Sequence, residues 1–166
     1  MLGAALLNRI DLVPGEALFL GAGVVHAYLE GLGIEAMAAS DNVLRGGLTG
    51  KHVDVPRLMA AVDFCVQRPV HISPETTTEA GVRISAYRTP AQEFSVHVVL
   101  ADSGPRTLDP LAGPGLLIVS DGAIELASGD ESLVVGRGES AFIAAGRPLA
   151  ITGLRPGSTA YLTTVG

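Results

Sequence analysis

At 166 residues the chain suits one ordinary domain or two small ones, and a hydrophobic content of 48% is that of a packed protein. Its formal net charge is −6, and its 11 Lys and Arg residues are scattered, which excludes the basic patch that nucleic-acid binding needs. A single cysteine, Cys65, excludes an internal disulfide and any cysteine-rich zinc cluster.

In chain order the pattern is of short β segments between turn residues. Strands are predicted at Leu6 to Leu12, Ala17 to Leu20, Val24 to Leu29 and Ile34 to Ala39, with Pro14-Gly15 and Gly21-Ala22-Gly23 as breaks. A short helix is predicted from Asp54 to Asp63. Asp54 is its N-cap, Pro56 lies in its first turn, and Leu58, Met59 and Val62 sit at helical spacing. Cys65, within AAVDFCV, reads as a buried, inert thiol, and residues 74–81, PETTTEAG, as an exposed loop. From Val70 onward the chain is β again, with hairpin signals at Asp121-Gly122 and Gly129-Asp130. Short strands at regular intervals argue for a closed barrel or sandwich. No apolar run reaches the roughly 18 residues of a membrane span, and MLGAALLNRIDL lacks a signal peptide's basic start. No membrane partner is expected, and the expected location is cytoplasmic.

An internal repeat runs through the chain. From Gly15 it reads Gly, five residues, Gly21, Ala22, Gly23, two residues, His26. From Gly138 it reads Gly, five residues, Ala144, Ala145, Gly146, two residues, Leu149. A duplicated unit would keep a polar residue at His26 where the second copy has filled the position with core.

The residues that could carry chemistry are few. His26 sits at a strand position, where it is either a half-buried histidine satisfied by a carbonyl or a metal ligand. A zinc site needs at least three protein ligands, and the chain has neither an HxH nor an HExxH pair. His52, His71 and His97 stand apart and read as surface or strand histidines. The stretch from Glu35 to Lys51, EAMAASDNVLRGGLTGK, is not a P-loop, because position 45 is Arg and position 52 is His. Arg45 and Lys51 flank a Gly-Gly turn and would suit an anionic ligand, Arg as a planar fork and Lys as a point charge. The alternative is a solvated turn with incidental charges.

PGEALFLGAGVVHAYLEG, the IEAMAASDNVLRGGLTGKHVDV that follows it, and RLMAAVDF together resemble the C-terminal part of the type I phosphomannose isomerases, zinc-dependent members of the cupin superfamily. The resemblance is dense over residues 6–64 and thins afterwards into a general cupin-like pattern. It implies an all-β fold of the cupin type, a double-stranded β-helix or jelly-roll barrel. Residues 1–50 would be the last strands of a first, catalytic barrel, 51–69 a helical connector, and 70–166 a complete second barrel without metal. The family's zinc set is one Gln, two His and one Glu. The resemblance makes His26 the second histidine, Arg45 the catalytic arginine and Lys51 a binder of the substrate phosphate. Tyr28, Glu35 and Asp41 match positions that line the pocket. Gly21 stands where the family has Pro, which alters a turn and not the chemistry.

The implied reaction interconverts mannose 6-phosphate and fructose 6-phosphate through a cis-enediol, with a phosphorylated hexose as partner. Zinc would orient the sugar oxygens and Arg45 would stabilise enediolate charge. The proton-transferring base is left open among Glu35, Asp41 and a zinc-bound water. The other three zinc ligands have no counterpart here, so the chain is expected to begin within the first barrel. It is also expected to bind zinc weakly or not at all and to lack activity alone. Its open sheet edges would be completed by a homodimer or by pairing with a missing N-terminal segment. The competing reading is a free-standing cupin-like module that binds a small sugar or anion, or serves dimerisation, without catalysis.

Overall fold

The computed structural model describes residues 7–40, 43–47, 49–66, 68–102 and 104–165. They fall into two compact units, the first of Met1–Gly33 and Ala39–Ile72, the second of Ile34–Ala38 and Ser73–Gly166.

In the first unit, strand β1 (Ala17–Phe19) pairs antiparallel with β2 (Val70–Ile72), Leu18 lying opposite His71. Helix α1 (Val55–Ala61) forms where the sequence predicts it. Asp54 caps it, Oδ1 accepting the Arg57 amide at 3.1 Å, and Pro56 in the first turn loses no helical hydrogen bond. It stops where Val62 turns extended, the Val62 amide still donating to the Leu58 carbonyl at 2.9 Å. The helix buries no residue, and Leu29, Leu32, Met59, Phe64 and Val66 are all exposed. Cys65 is exposed as well, against the expectation of a buried thiol. Its amide donates to Asp63 Oδ1 at 2.8 Å in a turn beyond the helix, where its neighbours Phe64 and Val66 are exposed as well.

The predicted strands at Leu6 to Leu12, Val24 to Leu29 and Ile34 to Ala39 are not strands over their described residues.

 A strand exists only where its amides and carbonyls meet a neighbouring edge, and alternation along Val24 to Leu29 or Ile34 to Ala39 supplies a face without supplying that edge.

The second unit is a two-sheet β structure. Its strands are β3 (Glu75–Glu79), β4 (Val82–Tyr87), β5 (Ser95–Ala101), β6 (Pro105–Leu108), β7 (Gly115–Asp121), β8 (Ala123–Ser128), β9 (Glu131–Gly136), β10 (Ser140–Ile143), β11 (Leu149–Gly153) and β12 (Ser158–Thr164). One sheet has the order β10-β7-β12-β5-β4-β3 and the other β6-β11-β8-β9, with every pairing antiparallel. Alternate residues point inward, so Val82, Val99, Leu117, Val119, Ile124, Ile151, Ala160 and Leu162 form the core between the sheets. Fully burying such a side chain contributes about 1.5–3 kcal/mol.

Two turns depart from expectation. Residues 74–81 are not a loop, because Glu75–Glu79 form β3 and pair with β4, Glu79 opposite Val82. The connection is Ala80-Gly81, both with positive φ (48° and 75°), the backbone of a I′ hairpin. Asp121-Gly122 is a corner and not a hairpin, since β7 and β8 lie in different sheets. Gly122 (φ +77°) packs on Ser158, and a Cβ there would stand 2.8 Å from the Ser158 Cα. Gly129-Asp130 does close a hairpin, with Ser128 opposite Glu131.

Arg106 ties the two sheets together. On β6 its guanidinium donates to the carbonyls of Thr77 and Val82 (3.3 and 3.2 Å) and to Thr77 Oγ1 (2.9 Å), and its Nε lies 3.6 Å from Glu79. Its side chain is only 14% exposed, so these partners replace the water it has lost.

Candidate active site

Gly23 fixes the approach to His26. With φ +82° it presses against the end of α1, where a Cβ would stand 2.9 Å from the Ala61 carbonyl oxygen. The Asp63 amide donates to the Gly23 carbonyl at 3.0 Å. A side chain at position 23 would break both the turn and this contact.

Three residues on, His26 is exposed and lies in irregular chain. Its Nδ1 sits 3.0 Å from the Val24 carbonyl oxygen. A carbonyl only accepts, so Nδ1 is the donor, and in the neutral ring the lone pair then falls on Nε2. This is the tautomer a metal-binding histidine uses, its other nitrogen oriented by a backbone carbonyl. The Tyr28 ring meets it edge to face, with centroids 6.1 Å apart and planes at 70°.

The Arg45-Gly46-Gly47 turn comes alongside this segment. Val25 Cγ1 is 3.7 Å from where a Cβ on Gly46 would stand, which leaves ordinary contact distance between the two segments. Arg45 and Lys51 are both exposed, and the Lys51 amide donates to Thr49 Oγ1 at 3.1 Å. His26, Tyr28, Arg45 and Lys51 thus share the first unit, while Glu35 falls in the Ile34–Ala38 segment of the second. Asp41 lies outside the described residues.

Among the described residues no group of three or more His, Cys, Asp or Glu side chains could hold a metal ion. The His26 tautomer fits one bond to zinc, but the described residues do not fit a complete zinc site.

The second unit contains a feature that sequence reading passed over. A cavity of about 610 Å³ opens between the two sheets, with Glu75, Glu79, Arg88, His97 and Arg106 on its wall. His97, by sequence a surface or strand histidine, shares the inward face of β5 with buried Val99 and Ala101. Its Nε2 lies 3.1 Å from Ser95 Oγ, and burial, helped by the charge of Arg88, holds its pKa below 6.5. Arg88 Nε donates to Glu75 Oε2 at 3.0 Å. The legible signal was the alternation in SVHVVLA, which gives His97 the parity of Val99 and Ala101.

No family model matches the chain. It is 35% identical over 154 residues to mannose-6-phosphate isomerase 2 of Arabidopsis thaliana, covering 92% of this chain and 34% of that protein. With the mannose-6-phosphate isomerase of Escherichia coli it shares 38% identity over 151 residues, 89% of this chain and 37% of that protein. The chain is a homologue of the mannose-6-phosphate isomerases over their C-terminal part. It spans about a third of the length of these isomerases. A crystal structure of a single-site variant of phosphomannose isomerase from Salmonella typhimurium superposes with a TM-score of 0.62 at 27% identity. That match covers 77% of this chain and 32% of the isomerase, a cupin fold. The all-β cupin architecture expected from the sequence is therefore the observed one. Among the described residues no helix is long and apolar enough to cross a membrane.

Proposed function

We propose that the chain is the C-terminal part of a cytoplasmic, zinc-dependent isomerase of carbohydrate metabolism that interconverts mannose 6-phosphate and fructose 6-phosphate. The observation that carries this reading is the 38% identity to an isomerase of that name across 89% of the chain. The exposed Leu29, Leu32, Phe64 and Val66 of the first unit support it, because such side chains call for further chain to cover them.

In this reading Lys51 attracts the phosphate as a point charge and fixes the distance to the reacting carbons. Arg45 presents its planar fork to the oxygen on which negative charge grows as the proton leaves C2. Tyr28, Glu35 and Asp41 match positions that line the pocket of the resembled isomerases, and the proton would pass to a carboxylate such as Glu35 or Asp41, or to a zinc-bound water. His26 would offer Nε2 as one of several zinc ligands, and a metal held there would supply Lewis-acid polarisation of the sugar oxygens. The remaining ligands come from upstream sequence or a partner chain, and without them this chain neither holds zinc stoichiometrically nor turns over substrate. Residues 1–50 complete a first barrel, 51–69 connect, and 70–166 form the second, non-metal barrel.

The test uses the purified chain. It is expected to contain less than stoichiometric zinc and to show no isomerase turnover, while mannose 6-phosphate raises its thermal midpoint through Arg45 and Lys51. Arg45→Gln with Lys51→Gln should abolish that rise. Turnover by the chain alone would contradict the reading, as would a rise that survives both substitutions.

A further inference from the structure

The cavity between the sheets of the second unit is a built recess. Inward positions along β4 and β5 are apolar at Val82, Ile84, Val99 and Ala101, while Ser95 and His97, with Glu75 and Arg88, turn one end of the barrel polar. In register, Glu75 lies opposite Ala86, Ala86 opposite His97, and His97 opposite Leu162. Glu75 and His97 thus stand on one row across the sheet, separated by the small side chain of Ala86. Arg106 faces them from the other sheet, and Val99 and Leu162 supply an apolar floor. At about 610 Å³ the recess lies within the roughly 300–1,000 Å³ of small-molecule sites, which combine an apolar lining with a few convergent polar groups.

The charges choose the ligand class. Arg88 is engaged with Glu75, and Arg106 with Glu79 and two carbonyls, so both cations on the wall are already matched. Asp109, also on the wall, adds a third carboxylate. A phosphate entering here would meet three carboxylates and would have to displace one of them from its guanidinium. A neutral polyhydroxylated molecule meets no such penalty. Its hydroxyls donate to the carboxylates and accept from the guanidinium edges, while neutral His97 can do either.

We infer that this cavity binds a small, uncharged polyol or free hexose, recognised by Glu75, Arg88 and His97 over the Val99–Leu162 floor. This goes beyond the proposed isomerase reading, whose residues Arg45 and Lys51 belong to the first unit.

The test is a titration of the isotopically labelled full chain with mannose, sorbitol and mannose 6-phosphate, followed by amide shifts. Mannose or sorbitol is expected to shift amides of β3 and β5 with millimolar affinity. Glu75→Gln and His97→Phe should each weaken that binding about tenfold, as loss of a hydrogen bond to a charged or buried group does. Glu75 is on an exposed edge strand, so Glu75→Gln decides the matter if His97→Phe fails to fold. Absence of shifts with either neutral ligand, or affinity unchanged in Glu75→Gln, would overturn the inference. So would tighter binding of mannose 6-phosphate than of mannose at β3 and β5. Arg45→Gln and Lys51→Gln should leave these shifts unaltered, which separates failure of this site from failure of the isomerase reading.

Discussion

Glu16 and Glu139 hold the same place in two copies of one turn. Glu16 Oε2 accepts the Val13 amide at 2.9 Å while the Glu16 amide donates to the Val13 carbonyl at 3.0 Å. Glu139 Oε2 accepts the Gly136 amide at 2.8 Å while its own amide donates to the Gly136 carbonyl at 3.0 Å. The intervening glycines, Gly15 and Gly138, have φ of 94° and 82°, and the later pair, Gly23 and Gly146, 82° and 76°. The repeat seen in the sequence is therefore a repeat of backbone geometry. It diverges at its end, where His26 is exposed and Leu149 is buried in the core.

The turn at Glu139 gives the first expectation. Glu139→Ala removes a charge-assisted acceptor from the Gly136 amide and should destabilise the second unit by about 1 kcal/mol, tempered by exposure. Urea unfolding measures it, and an unchanged midpoint would mean that the carboxylate contributes nothing.

Ala80 is the one non-glycine with positive φ among the described residues. The left-handed region costs an ordinary side chain about 1–2 kcal/mol and costs glycine or asparagine less. Ala80→Gly and Ala80→Asn are thus expected to stabilise the β3–β4 hairpin, Asn by about 0.5–1 kcal/mol. A fall in thermal midpoint for both would contradict the I′ turn.

Glycines of equal φ should differ where their surroundings differ. Gly122 and Gly138 have φ of +77° and +82°, but a Cβ on Gly122 would collide with Ser158, whereas one on Gly138 meets nothing within 4 Å. Gly138→Ala should cost about 1 kcal/mol of strain, and Gly122→Ala about 3 kcal/mol or more, since β12 must also shift. Equal effects in urea titrations would remove the corner from the account.

His97 sets a pH dependence. Its folded pKa lies below 6.5, chiefly through burial and secondarily through Arg88. Between the two pKa values the unfolded chain binds more protons, so stability rises with pH there. That contribution is complete above the unfolded pKa and is lost as pH falls below it, levelling off beneath the folded pKa. His97→Gln should flatten the slope of urea midpoint against pH on the acid side of histidine's ordinary value of about 6.5. An identical slope in the variant would show that His97 is not the group responsible.

What the sequence made legible was local. Asp54 and Pro56 carry their helix start in their own chemistry, and Gly129-Asp130 its hairpin. The strand at Glu75–Glu79 was hidden by the loop-like flanks Pro74 and Gly81 and by an alanine where a I′ turn usually has Asn, Asp or Gly. Gly122 satisfied a hairpin signal that positive φ alone cannot distinguish from a corner. In the candidate site, the Nδ1 bond of His26 is made within two residues, but the approach of Val25 to Gly46 spans twenty-one and leaves no trace in spacing. The inward place of His97 needed only the parity of its strand.

The most direct measurement of the central claim is a hybrid in which this chain replaces the matching C-terminal part of the Escherichia coli mannose-6-phosphate isomerase. If the chain supplies a zinc histidine and a catalytic arginine, the zinc-loaded hybrid turns over mannose 6-phosphate. Arg45→Ala in it should then lower kcat by about a hundredfold or more with zinc retained, and His26→Ala should lose the metal. A folded, zinc-loaded hybrid with no turnover would contradict the account, as would one whose activity is indifferent to Arg45.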